Sequence, residues 1–406
     1  MNKIYYNETN YDNNEIDAVI DVLKNQSHTL VGGKYSKKFE QEIGKIFGKK
    51  YAAFVNSGSS ANLLALSSLN LPKNSEVITP ALTFSTTISP ILQLNLVPSL
   101  VDIEINTLNI DVNKIESAIN KNTSAIMIPN LIGNLPDLKR ISEIAKKYSI
   151  PFIEDSADTI GYKYDGNNTG PLSDIVTTSF YASHIITCAG IGGMVCTNDK
   201  KLYENMIITR GWGRSSELFS ADSQIPIDKN IKDRFNIKVD KVTYDRKFVF
   251  EKKGYNFFAP EICAAFGYEQ LKKFRSLYKK RKDNFNYIMS YLKQNLSNYF
   301  IFPKEDSKID TIWLAFPLIL NDQINQTRTE LQVYLENKNI QTRPIFSGNI
   351  TRQPILNNEQ YKTNNSTFDN ADYIMKNGML VGCHPKLEKE NLDYICTSIR
   401  SFFINQ

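Results

Sequence analysis

The sequence predicts an α/β protein whose large domain is built on a mostly parallel sheet and is followed by a smaller α+β domain. Three observations carry this. Between residues 51 and 155, short apolar runs alternate with segments of helical periodicity. The runs lack the in–out alternation of a one-sided sheet, so both faces are covered, as in parallel strands flanked by helices. At 406 residues the chain suits one large domain plus a smaller one. With 41% hydrophobic and 22% charged residues, it can bury a sizeable core and keep an ordinary polar surface.

Residues 13–25 and 35–47 carry apolar side chains at helical spacing, separated by Gly32-Gly33. Strands are expected at 51–55, 76–80, 98–103, 124–129 and 151–155, with helices at 60–69, 84–94, 112–119 and 136–148 between them. The closely spaced runs 175–180 and 192–197 add two strands, and a helix follows near 199–209. Residues 211–253 are polar, charged and weakly periodic, and read as a long excursion. One long helix over 260–294 then leads into strands at 311–320 and 340–345 and helices at 327–337, 367–376 and from 387. The large domain is therefore placed at 1–258, and the linking helix with the small domain at 259–406.

The net charge of +5 is the small difference between 48 basic and 43 acidic residues, which argues for neither nucleic acid nor an anionic membrane as partner. The basic run Lys272, Lys273, Arg275, Lys279, Lys280, Arg281, Lys282 reads as a solvated helix face. The N-terminus has no apolar signal segment, and no stretch reaches the roughly 18 apolar residues of a membrane span. A cytoplasmic protein is expected. The five cysteines (188, 196, 263, 383, 396) form no CxxC pair and no zinc spacing. They are read as reduced thiols, with no metal site.

In parallel sheets, ligands bind at the carboxyl ends of the strands. Five such places are informative. Asn56–Asn62 (NSGSSAN) offers small residues at a helix start, fit for an anion or for a plain capped turn. Phe84 can stack on a flat ring or pack in the core. Asp155 and Asp158 end an apolar strand and need partners if buried, although Asp155 or Ser156 could equally cap a helix. Ser179–His184 precedes Gly190, Gly192 and Gly193, and Gly254-Tyr255-Asn256 precedes the long helix.

In order, NSGSSAN, PALTF, VDIE, IEDSAD, SFYASH…GIGG, TRGWGR, GYN and TRPIFSGNITRQP resemble the fold-type-I pyridoxal phosphate (PLP) enzymes, specifically the DegT/DnrJ/EryC1/StrS sugar aminotransferase family. The resemblance implies the large and small domains of that fold. It implies that Gly58, Ser59 and Ser60 hold the cofactor phosphate, Phe84 stacks on the ring, Asp155 pairs with the ring nitrogen and Ser179 adds a polar contact. By the same resemblance Asp158 faces the cofactor, and Asn256 reaches the phosphate of a neighbouring subunit in a homodimer. Ser183, Arg343, Asn349 and His384 fall on segments that meet substrate. Arg343 suits a carboxylate or a diphosphate, and suits a structural ion pair equally.

Members of this family that transfer amino groups carry lysine where this chain has His184, and no lysine occurs between Tyr164 and Asp199. Imidazole cannot make the covalent link to an aldehyde that a lysine amine makes. It can still move protons near neutrality. SFYASHIIT and Asp158 are similar to the branch of 3-dehydratases acting on nucleotide-linked 4-keto-6-deoxy sugars, in the biosynthesis of 3,6-dideoxy sugars for lipopolysaccharide or capsule. That branch implies pyridoxamine 5′-phosphate (PMP) as the working cofactor and His184 as base and acid. One subclass carries an iron–sulfur cluster and a reductase partner. No cysteine lies between Cys196 and Cys263, so no iron–sulfur cluster is expected and L-glutamate is the expected amine donor. The other readings are a sugar aminotransferase, a reductase-coupled variant lacking the cluster, and a silent binding protein.

Overall fold

The computed structural model describes residues 2–218, 231–364 and 367–404. Its central sheet has seven strands: β1 Tyr51–Val55, β2 Glu76–Pro80, β3 Val97–Val101, β4 Thr123–Pro129, β5 Phe152–Asp155, β6 Ile175–Ser179 and β7 Gly193–Thr197. Their spatial order is β1-β7-β6-β5-β4-β2-β3. β2 through β6 are mutually parallel, and β7 runs antiparallel to both β1 and β6. Every residue of β2, β3, β5, β6 and β7 is buried.

Alternate side chains of these strands feed two separate cores. Ile78, Ile126, Phe152, Val176 and Met194 point into one. Val77, Ala125, Met127, Ile153, Ile175 and Val195 point into the other. Two covered faces explain the unbroken apolar runs. Helices α1 (Asn13–Asn25), α2 (Lys34–Phe47) and α3 (Gly58–Ser68) start close to their expected positions. Asp12 and Glu15 form a reciprocal cap on α1, and Ser57 caps α3.

Several elements depart from the expected ones. The long helix over 260–294 is two helices, Glu261–Lys272 and Phe274–Leu296, broken at Lys273. The Lys273 ammonium is drawn onto Asp12 (2.6 Å) and Glu15 (2.7 Å) at the start of α1. The basic run is mostly a row of ion pairs, with Glu269, Asp283, Glu388 and Asp310 as further partners. Arg281 is buried and donates to the Leu314 carbonyl. The strand over 311–320 shortens to Phe316–Leu320. An unforeseen strand, Gly378–Val381, joins Phe300–Ile301, Phe316–Leu320 and Thr342–Pro344 in an antiparallel four-stranded sheet. The segment 112–119 is a 3₁₀ turn and one α-turn.

Part of the 211–253 excursion, residues 219–230, lies outside the described residues; the rest includes a hairpin of Ile237–Val239 and Val242–Tyr244. The N-terminal residues run along the small sheet, where Ile4 bridges Ile340 and the Tyr6 amide donates to Gln341 (2.9 Å). Among the described residues, no helix is long and apolar enough to cross a membrane.

Candidate active site

A cavity of about 890 Å³ opens at the carboxyl ends of β1, β4, β5 and β6, closed on its far side by the small domain and the N-terminal segment. Ser57, Gly58, Ser59, Phe84, Asp155, Asp158, Ser179, Ser183, His184 and Arg343 all line it. The sequence had placed these residues at strand ends and loops, and the sheet brings them together.

One wall is the start of α3. The Ser57 hydroxyl accepts the Ser60 N–H (3.1 Å), which leaves the first amides of the helix directed at the cavity end. Gly58 packs so tightly on β6 that a Cβ there would lie 2.5 Å from Cβ and 2.9 Å from Oγ of Ser179. The missing side chain is what lets the helix amides and the Ser179 hydroxyl share one small region. Gly193, at the start of β7, is equally constrained: a Cβ would sit 2.3 Å from the Ser57 carbonyl oxygen.

The floor holds two buried carboxylates. Asp155 Oδ2 accepts from Asn62 Nδ2 (2.8 Å) and Thr87 Oγ1 (3.2 Å), and its Oδ1 accepts from the Ala157 amide (3.2 Å). Asn62 is itself fixed, accepting from Thr177 Oγ1 at 2.6 Å. Burial raises the Asp155 pKa above the ordinary carboxylate range, and these donors oppose the rise. Among the described residues no basic side chain pairs with Asp155. Asp158 is pushed up to about 7, chiefly by burial, with Asp155 adding to the shift and the Ile132 amide (2.9 Å) opposing it.

His184 follows the sharp turn after β6, its amide donating to the Tyr181 carbonyl (2.9 Å). The Ala182 carbonyl, two residues before His184, accepts from Asn7 Nδ2 (2.8 Å) and Thr9 Oγ1 (3.3 Å), so the N-terminal segment holds the histidine loop. His184 Nε2 lies 3.7 Å from Asp158 Oδ1, and its buried Nδ1 has no hydrogen-bond partner among the described residues. Burial pushes its pKa down to about 4. Among the described residues no lysine lines the cavity; His184 and Arg343 are its basic side chains.

Phe84 stays 52% exposed at the cavity mouth, with Phe346 edge-on at 6.0 Å. A ring so exposed is not packed in the core. Four candidates do not line the cavity. Ser60 sits behind Ser57; Asn256 is exposed beside Gly211; Asn349 is buried, donating to Asp372 (2.8 Å); His384 is buried with Nε2 3.1 Å from the Tyr5 carbonyl oxygen. Sequence reasoning missed Tyr6, Asn7 and Thr9, for which no local motif exists, and Asn62, whose signal was an amide inside an otherwise small and apolar helix start.

The chain matches the DegT/DnrJ/EryC1/StrS aminotransferase family over residues 9–400. It belongs to that family. Among DegT-family relatives, it is 35% identical over 384 residues to lipopolysaccharide biosynthesis protein RfbH of Salmonella typhimurium, covering 92% of this chain and 86% of that one. It is 32% identical over 395 residues to GDP-4-keto-6-deoxy-D-mannose 3-dehydratase of Escherichia coli O55:H7, covering 95% and 96%. The structure of E. coli GDP-4-keto-6-deoxy-D-mannose-3-dehydratase with bound hydrated PLP matches with a TM-score of 0.86 at 30% identity, over 98% of this chain and 100% of that one. The fold is thus that of the PLP-dependent aminotransferases, as the sequence motifs implied.

Proposed function

We propose that this protein is a PMP-dependent 3-dehydratase of a nucleotide-linked 4-keto-6-deoxy sugar, with L-glutamate restoring the amine form of the cofactor. The observation that carries the reading is a cavity with no lysine among its described lining residues, in which His184 lies 3.7 Å from buried Asp158 and shares the wall with buried Asp155. The donor set fits the cofactor. The α3 amides at Gly58 and Ser59, with the Ser179 hydroxyl, suit a phosphate where a side chain at Gly58 would collide. Phe84 offers an exposed ring face, and Asp155 is a buried carboxylate with no basic partner among the described residues, suited to a protonated ring nitrogen. In this reading Ser60, acting through the Ser57 hydroxyl, and Asn256, from a second subunit of a homodimer, complete the phosphate site.

When bound, the cofactor supplies an amine for the sugar ketone and a ring that accepts electrons. The chain's own residues supply the rest. With no lysine among the described residues that line the cavity, the coenzyme is held in this reading by Asp155, Phe84 and the phosphate site. His184 takes up a proton at an imidazole nitrogen and returns one to the C3 hydroxyl as it leaves. Arg343, at the cavity rim, suits the diphosphate or the glutamate carboxylate, and Ser183 contacts the sugar. Asn349 and His384 act from behind the wall, through Asp372 and the N-terminal segment.

The test is a product assay with protein, PMP, glutamate and a panel of GDP-, CDP- and dTDP-linked 4-keto-6-deoxy sugars. Loss of the C3 hydroxyl with 2-oxoglutarate formed is the expected result. A 4-amino product that keeps the hydroxyl would make the protein an aminotransferase. Dehydration that requires a reductase would exclude the glutamate route. Failure to take up either form of the cofactor would leave a binding protein. Borohydride should trap no covalent protein adduct.

A further inference from the structure

Ile132 is a β-branched residue held at φ 56°, in the left-handed region such side chains avoid. The surroundings force it there. Its carbonyl accepts the Leu314 amide at 2.8 Å, and a Cβ on the neighbouring Gly133 (φ 90°) would lie 2.3 Å from the Ile312 carbonyl oxygen. This distortion turns the Ile132 amide onto Asp158 Oδ2 at 2.9 Å, while Oδ1 of the same carboxylate faces His184 Nε2 at 3.7 Å. Asp155, three residues earlier, is occupied by Asn62, Thr87 and Ala157, so the two carboxylates have separate surroundings.

We infer that Asp158 and His184 form one proton-holding pair, in which Asp158 is the positioning residue: the strained Ile132 amide fixes one oxygen so that the other presents a proton to the imidazole. The inference rests on the reading of His184 as the proton-handling group of the dehydration. The 3.7 Å separation is just beyond a direct hydrogen bond, and a few tenths of an ångström or one bridging water closes it. Around the pair, Asp155, Tyr6 and Tyr162 interact with Asp158, and Arg281 with His184. With Asp158 at about 7 and His184 at about 4, the pair carries one proton and no net charge between those values. That proton is lost as pH rises through the upper value. As His184 takes up a proton at Nδ1, its Nε2–H bond breaks and the Asp158 O–H bond forms; when the Nδ1 proton passes to the leaving hydroxyl, the Asp158 proton returns to Nε2, and no further proton source is required.

The experiment is histidine-ring NMR on the full chain across pH, with and without PMP. The chain has three histidines, 28, 184 and 384, and the His184 signal is assigned by its loss in His184→Asn. In the wild type the His184 signal should move across neutrality as Asp158 ionises. Asp158→Asn should abolish that step, leave only the low-pH one, and lower kcat by tenfold or more with KM for the sugar little changed. Asp158→Glu should keep the step with a displaced midpoint. A His184 titration identical in wild type and Asp158→Asn would overturn the pair; if that variant does not fold, an unchanged midpoint in Asp158→Glu would do the same. Dehydration that survives His184→Asn would instead end the functional reading, while the NMR step still decides whether the two residues are coupled.

Discussion

Replacing Gly58 with alanine perturbs the place where α3 meets β6. Near a helix start, alanine in place of glycine is normally neutral or favourable, by up to about 1 kcal/mol. Here the added methyl would lie 2.5 Å from Cβ of Ser179, against the 3.5–4.0 Å of ordinary carbon contacts. Either the helix start or the end of β6 must retreat by about 1 Å, and overpacking of this kind costs about 1–3 kcal/mol. The net expectation is a loss of about 1–2 kcal/mol in urea unfolding and at least a tenfold weaker fluorescence titration with PMP, because the amides and the Ser179 hydroxyl separate. Ser179→Gly in the same background removes the colliding atoms, so the stability losses should not add, with about 1 kcal/mol of coupling in the double-mutant cycle. A Gly58→Ala protein as stable as wild type with unchanged affinity, or losses that simply add, would refute the reasoning.

Asn62→Ala strips a donor from Asp155 and leaves the Thr177 hydroxyl unpaired. It should cost about 1–3 kcal/mol, raise the Asp155 pKa further and weaken PMP binding, read by unfolding and by cofactor titration. Glu261 is buried and accepts from the amides of Gly33, Tyr35 and Ser36, supplying the cap that α2 otherwise lacks. Glu261→Ala should destabilise by about 2–4 kcal/mol, visible as a lower urea midpoint; an unchanged midpoint would contradict that role. His384 is pushed down to about 4, first by burial and then by the Arg281 charge. The native state therefore disfavours its proton: this stability is complete above about 6.5 and drains away as pH falls toward 4. His384→Gln keeps a donor for Tyr5 and cannot charge, so between pH 7 and 4.5 it should lose less stability than wild type, by an amount on the order of 1–3 kcal/mol.

Much of the large domain was legible because its strands are buried on both faces, so apolar runs mark them directly. The site residues at strand ends followed from that, since Asp155, Ser179 and His184 sit where parallel strands stop. The orientation of β7 was not legible: GMVCT is as apolar as a parallel strand, and its reversal shows only in its pairing with β1 and β6. The break at Lys273 also escaped, because the helical spacing continues through it and the ion pairs that bend the chain come from residues 12 and 15. Tyr6, Asn7 and Thr9 reach the cavity through contacts 175 and 173 residues away in the case of Asn7 and Thr9. No local pattern encodes such contacts. Asn349 and His384 carried motif signals but lie behind the cavity wall.

The position of β1 has a bearing on how the nascent chain matures. This strand is made first, yet within the sheet it hydrogen-bonds to β7 alone, about 140 residues later. At ribosomal rates of about 5–20 residues per second, its main-chain donors and acceptors wait on the order of 7–30 s for their partner to emerge. Until then Tyr51, Ala53 and Val55 lack their inter-strand partners on an apolar edge, a natural client for a holding chaperone. Arrest of translation before residue 193 should yield chains that aggregate, whereas release after residue 197 has left the exit tunnel should not.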